Sequence, residues 1–139
     1  MAVSEKMAEA ATLALAGEAC SGLGEGASFT ALDWVRREFL AKLGFEPYPG
    51  TFNLRMSGPE WAAARRLLAQ EAGIGITPEA GFCAAKCFHV VIAGCITGAV
   101  VFPEVAGYPD DKFEVISAVP VRQALGLADG DRVAVSVVC

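Results

Sequence analysis

Apolar and polar positions alternate in short runs along most of this chain. "TLALAGEAC" (12–20) has the period-two pattern of a strand. "TFNLRM", "KFEVISAV" and "ADGDRVAVSVV" repeat it, and the last sets Val133, Val135 and Val137 on one face after a turn at Asp129-Gly130. The apolar run Val90 to Phe102 is interrupted by Gly94 and Gly98 and predicts two strands joined by a tight turn. Two stretches carry a helical period instead. "TALDWVRREFLAKLG" places Leu32, Val35, Phe39 and Leu43 on one stripe, with Thr30 as N-cap, Asp33 three residues on, and Gly44 at the end. "SGPEWAAARRLLAQEAG" predicts a second helix, with Pro59 in its first turn, Gly73 at its end, and Arg65 and Arg66 in solvent. "VRQALGL" predicts a short helical turn.

Many short strands, few helices and frequent glycines predict a mainly β domain with helical insertions, closed into a small barrel. The 139 residues form one domain, without repeats or a low-complexity linker. At 54% apolar and 19% charged residues the chain is a folded globular one, and its net charge of −5 argues against a general nucleic-acid binder. The charge leaves room for a nucleotide site, where backbone N–H groups and one metal hold phosphates. The N-terminus carries Glu5, Glu9 and Glu18 without a basic leader segment, and the apolar hairpin is too short to span a membrane, so the cytoplasm is expected. Five cysteines predict no disulfide framework. Cys83, Cys87 and His89 lack a second ligand pair at a zinc spacing, so buried or strand-face thiols are expected before a metal cluster.

Three segments carry candidate chemistry. "GLGEGA", Gly22 to Ala27, has three glycines that allow close approach of backbone N–H groups to phosphates, or form a simple glycine-rich turn. It matches neither the Walker nor the dinucleotide pattern. "PYPGTFNL" is a rigid turn followed by a strand in which Thr51 and Asn53 share a face, and Phe52 and Leu54 share the other. A hydroxyl and an amide carbonyl suit Mg²⁺ that already carries phosphate oxygens, although they also suit a polar strand end. Glu114 lies among apolar neighbours on the face of Ile116, opposite Phe113 and Val115; it is an edge charge or an acceptor for a substrate hydroxyl proton.

Together, "SGLGEGASF", "LGFEPYPGTFNL", "GAVVFPE", "FEVISAVPVR" and "LGLADGDRV" resemble, in order and spacing, the archaeal-type CTP-dependent riboflavin kinases, from about Gly17 to Val137. The resemblance implies a compact six-stranded cradle-loop β-barrel. It implies transfer of the γ-phosphoryl group of CTP to the 5′-hydroxyl of riboflavin, giving FMN and CDP, with Mg²⁺ as cofactor. It assigns the nucleotide to Gly22, Leu23, Gly24, Glu25, Gly26 and Ala27 and to Val119, Pro120, Val121 and Arg122. It assigns the metal to Thr51 and Asn53, the flavin to Ala106 and Glu114, and the catalytic role to Glu114. The chain departs from the pattern at Ala106, where a threonine is usual, at Pro120, where a lysine is usual, and at Ala27, where a larger polar residue is frequent. These departures leave two alternatives open: a CTP-dependent kinase with another small hydroxyl acceptor, and a flavin- or nucleotide-binding module without turnover.

Overall fold

The computed structural model describes residues 12–21 and 29–139. The chain is mainly β, in the order β1 (Thr12–Cys20), α1 (Asp33–Leu43), β2 (Phe52–Arg55), α2 (Gly58–Gln70), β3 (Ile74–Ile76), β4 (Ala85–Ile92), β5 (Ile96–Pro103), β6 (Lys112–Ile116), α3 (Val121–Leu125) and β7 (Arg132–Val138). All pairings are antiparallel, in the sheet order β3-β4-β5-β6-β2-β1-β7.

A further pairing of β4 with β7 closes six of the seven strands into a ring. It forms because one edge of β4 is shared: Ala85, Lys86 and Cys87 pair with β3, while Val90, Val91 and Ile92 pair with β7. The six expected strands therefore form the ring, and β3 is a seventh strand attached beside it. Residues Ile92 to Cys95 make the expected tight turn, closed by Cys95 N–H donating to the Ile92 carbonyl at 3.1 Å. Gly98 stands where β5 meets β6, and a Cβ there would lie 2.6 Å from the Ile116 carbonyl oxygen.

Strand alternation divides the apolar residues into two cores. The inner one gathers Phe52, Leu54, Phe113, Val115, Val100 and Val135, among others, and α2 adds Trp61, Ala64 and Leu68 to it. The outer one lies under α1, where Trp34, Val35, Phe39 and Leu43 pack on Ala99, Val101 and Ile116. The α1 stripe thus covers the outside of the sheet, as its spacing implies, with Leu32 only half-buried.

Several local expectations are corrected. Thr30 is not the α1 cap: the helix opens at Leu32, which accepts the first turn's bond from Arg36 N–H, and no side chain caps it. The Thr30 hydroxyl instead accepts a bond from Gly50 N–H at 2.9 Å. The α2 helix ends at Gln70, because Glu71 is already extended, so Gly73 lies beyond it. Arg65 is half-buried, with its guanidinium 4.9 Å from the Phe102 ring centroid, so only Arg66 of the pair is solvated. Cys87 is buried and Cys83 is exposed, so the expectation of buried or strand-face thiols holds for Cys87 and fails for the loop residue Cys83. Among the described residues no helix is long and apolar enough to cross a membrane.

Candidate functional site

The strand ends organise the site. β2 begins at Phe52, antiparallel to β1 and β6, so the start of β2 adjoins the ends of both neighbours. The segments leaving β1 at Ser21, entering β2 at Thr51 and leaving β6 at Ser117 therefore converge on one end of the sheet. These are the chain positions next to the glycine-rich segment, the Pro-Gly-Thr turn and the Val119–Arg122 segment. Gly22 to Ala27 themselves lie outside the described residues.

The turn before β2 is anchored at two points. Tyr48 N–H donates to the Ser117 carbonyl at 2.7 Å, and Gly50 N–H donates to the Thr30 hydroxyl at 2.9 Å. Gly50 has φ of 102°, a conformation that costs other residues a Cβ clash. The bonds and the glycine fix the direction in which Thr51 and Asn53 leave the turn.

Phe52 and Leu54 point into the inner core, as alternation predicts, and Asn53 faces outward although it is only 6% exposed. Its Cα partners are Cys20 on β1 and Glu114 on β6. The amide Nδ2 donates to the Thr51 hydroxyl at 3.2 Å and more weakly to the Thr51 carbonyl at 3.4 Å. This orientation leaves Asn53 Oδ1 shielded from water and, among the described residues, without a hydrogen-bond partner. An orphaned buried acceptor costs about 1–3 kcal/mol; Trp34 Nε1 and Arg65 Nε share that state, and Asn53 differs from them in standing beside a second oxygen and a carboxylate. The Thr51 hydroxyl accepts one bond and has a second lone pair. Two neutral oxygens in this state fit a hard cation such as Mg²⁺, which binds through one or two protein oxygens and keeps water and phosphate as its other ligands.

Glu114 lies directly across from Asn53 and is also paired with Val101 on β5. Its Oε1 accepts a hydrogen bond from the Tyr108 hydroxyl at 2.7 Å and lies 3.6 Å from Lys112 Nζ. Lys112 Nζ is 5.4 Å from the Tyr108 ring centroid, so the three side chains form one cluster. Burial pushes the Tyr108 phenol far up, reinforced by the Glu114 charge and hydrogen bond, with Arg65 pulling the other way. Tyr108 is consequently a permanent donor to the carboxylate.

Ala106 sits exposed on the turn between β5 and β6, two residues before Tyr108 and on the side of the sheet opposite the converging segments. Val119 is exposed, Pro120 is the extended residue just before α3, and the Val121 side chain is buried in the inner core, so Val121 can offer a ligand only its backbone. Arg122 is held at both ends of its guanidinium: Nε donates to the Leu127 carbonyl at 3.2 Å, and Nη2 pairs with Asp129. Asp129 also accepts from the Ser21 hydroxyl at 3.0 Å. The Arg122 and Ser21 bonds hold the Asp129 carboxyl below its ordinary range.

Thr51, Asn53 and Glu114 are thus brought together on one face, and Arg122 lies on the side from which Ser21 departs. Sequence reasoning missed Tyr108, Ser117 and Asp129. Only Asp129 carried a signal, as the turn of "LADGDRV"; the other two are single polar residues whose partners are distant or set by loop geometry. Cys83 and His89 are exposed while Cys87 is buried, and among the described residues no group of three or more His, Cys, Asp or Glu stands together.

Comparison with known proteins adds a family. A family model named CTP-dep_RFKase and described as a domain of unknown function, DUF120, matches residues 19–137. Three archaeal proteins bearing the name riboflavin kinase are similar over most of the chain. The protein from Archaeoglobus fulgidus is 45% identical over 131 residues, covering 91% of this chain and 55% of its own length. That from Methanocella arvoryzae is 38% identical over 120 residues, covering 86% and 55%. That from Pyrobaculum arsenaticum is 40% identical over 131 residues, covering 91% and 61%. The chain spans between half and two thirds of the length of the curated relatives it matches.

Proposed function

The chain belongs to the CTP-dependent riboflavin kinase family, and from that premise we propose that it transfers the γ-phosphoryl group of CTP to the 5′-hydroxyl of riboflavin, giving FMN and CDP. The observation that carries this reading is Asn53 Oδ1, without a partner among the described residues, beside Thr51 and directly across the strands from Glu114. Phosphoryl transfer asks little covalent chemistry of a protein; it asks for positioning and for neutralisation of charge. An oxygen pair facing a carboxylate supports that need.

In this reading the nucleotide lies at the converging strand ends, against Gly22 to Ala27 and the Val119–Arg122 segment. The acceptor lies towards Ala106 on the other side, and the row of Asn53 and Glu114 stands between them. Asn53 Oδ1 and Thr51 Oγ1 would hold a Mg²⁺ that neutralises the phosphate charge. Glu114 accepts the proton of the acceptor hydroxyl as its oxygen bonds to phosphorus and the bond from phosphorus to the diphosphate oxygen breaks. Arg122 is kept oriented towards the nucleotide by Asp129 and the Leu127 carbonyl. The preference for CTP follows from the family name.

The test is a product assay with purified protein, riboflavin and Mg²⁺, with CTP and ATP in parallel and FMN read by chromatography. FMN with CTP and little with ATP is the expected result. Absence of FMN with both nucleotides, in a protein that binds CTP, would overturn the reading and favour another acceptor or a binding role, for which the exposed Ala106, lacking any polar side-chain atom, would be the reason.

A further inference from the structure

A carboxylate that removes a proton from a substrate must present a defined oxygen at a defined place. A glutamate side chain has enough rotatable bonds to wander unless something fixes it. Glu114 is fixed on one side only. Tyr108 Oη donates to Oε1 at 2.7 Å, and Lys112 Nζ approaches the same oxygen at 3.6 Å. Among the described residues Oε2 takes no partner, and the Glu114 side chain retains 21% of its exposure. One oxygen is therefore anchored while the other is left towards solvent or a ligand.

The anchor is itself rigid. Tyr108 is half-buried in the turn before β6, and Lys112 packs over its ring at 5.4 Å. The next residues tie that turn to α2 and to the end of β2: Trp61 Nε1 donates to the Asp110 carbonyl at 2.8 Å, and Met56 N–H donates to the Asp111 carbonyl at 2.8 Å. A tyrosine has two side-chain torsions, so little entropy is lost in holding it there.

We propose that Tyr108 is the positioning residue of the acceptor side: by holding Oε1 of Glu114 it turns Oε2 to the substrate hydroxyl. The proposal rests on the reading of Glu114 as the group that takes the acceptor's proton. Tyr108 acts through Glu114 and does not itself touch the reacting atoms. Lys112 supports the same oxygen more weakly, at the longer distance.

The test is a double-mutant cycle of wild type, Tyr108→Phe, Glu114→Gln and the double variant, read by kcat, by KM for each substrate, by riboflavin binding through flavin fluorescence, and by thermal midpoint. Tyr108→Phe keeps the ring and removes one hydrogen bond. It should lower kcat about tenfold, with KM for the nucleotide unchanged. In the Glu114→Gln background the same substitution should have no further effect, because the group it positions is gone. Equal losses in both backgrounds, or full kcat in Tyr108→Phe, would overturn the proposal. Should Tyr108→Phe fail to fold, Lys112→Met loosens the same oxygen and should show a smaller loss with the same dependence on Glu114; equal loss in both backgrounds again overturns it. Wild-type protein that forms FMN while the cycle is additive sinks only the positioning role. If the wild type forms no FMN, the functional reading fails, and the cycle is then read in riboflavin binding, where additivity overturns the positioning role. Wild-type protein that neither binds nor phosphorylates riboflavin sinks both.

Discussion

One residue along β2 separates two different environments. Phe52 and Leu54 face the ring's interior, where Phe113 and Val115 of β6 meet them. Asn53, between them, faces outward with Glu114 opposite and an acceptor that finds no partner among the described residues. The inner face is filled by apolar side chains, and the outer face is where we propose that the ligand binds. Strand alternation lets one short strand serve both purposes without compromise, since each face can change independently of the other. Substitutions on the two faces should therefore fail in different ways.

The largest effect belongs to the inner face. Phe113 is fully buried, between Trp61 and Phe102 in edge-to-face contacts. Phe113→Ala should cost about 3–5 kcal/mol of stability, measured by denaturant unfolding, with turnover unchanged in the molecules that remain folded. Asn53→Ala reverses that pattern. It removes one proposed metal oxygen, so FMN formation should fall on the order of 100-fold. Its stability should change by less than about 1 kcal/mol, because the lost packing is offset by removal of an unsatisfied acceptor. An Asn53→Ala protein with full turnover and a collapsed thermal midpoint would erase the distinction between the faces.

The outer face also has an apolar part under α1, and pH can separate it from the polar row. Burial pushes the Cys87 thiol up to about 12. Its folded pKa lies above its unfolded one, so its contribution to stability is complete at neutral pH. That contribution should drain away as the pH climbs from about 8.5, the ordinary thiol value, towards about 12. Alkylation at mildly alkaline pH should label the exposed Cys83 and Cys95 and spare Cys87; labelling of Cys87 at the same rate would show that the α1 face opens. The smallest effect is expected at the end where we propose that the nucleotide lies. Asp129 is exposed and links Ser21 to Arg122. Asp129→Asn should raise the nucleotide KM by no more than about fivefold, and less at high salt, in steady-state assays at two ionic strengths.

Much of this division is legible in the sequence. The alternation of "TFNLRM" and "KFEVI" alone places Asn53 and Glu114 opposite the apolar residues, and the final strand's valines behave the same way. Helix spacing likewise finds the α1 stripe. What escapes is whatever depends on partners distant in the chain. Thr30 reads as a helix cap because capping is local, yet its hydroxyl serves Gly50, twenty residues on. Arg65 reads as solvated because arginines on a helix usually are, and only the fold brings Phe102 beneath it. The stretch from Gly73 to Pro103 reads as short strands and turns, but the bounds of β3 escape because a three-residue strand with a central glycine has too little pattern. The Asn53–Glu114 pairing is a matter of register, and the orphaned state of Oδ1 is a matter of which way an amide turns; no residue string encodes either.

Under the proposed function, Asn53 and Thr51 hold the metal beside the nucleotide on the outer face. Replacing Mg²⁺ with Mn²⁺ in the presence of CDP, and following paramagnetic broadening of the protein's NMR signals, tests that placement. The Asn53 side-chain amide and Thr51 should broaden first, while residues at the Ile92–Cys95 turn stay sharp. An Asn53 amide that stays sharp while another region broadens would place the metal elsewhere and overturn the proposal.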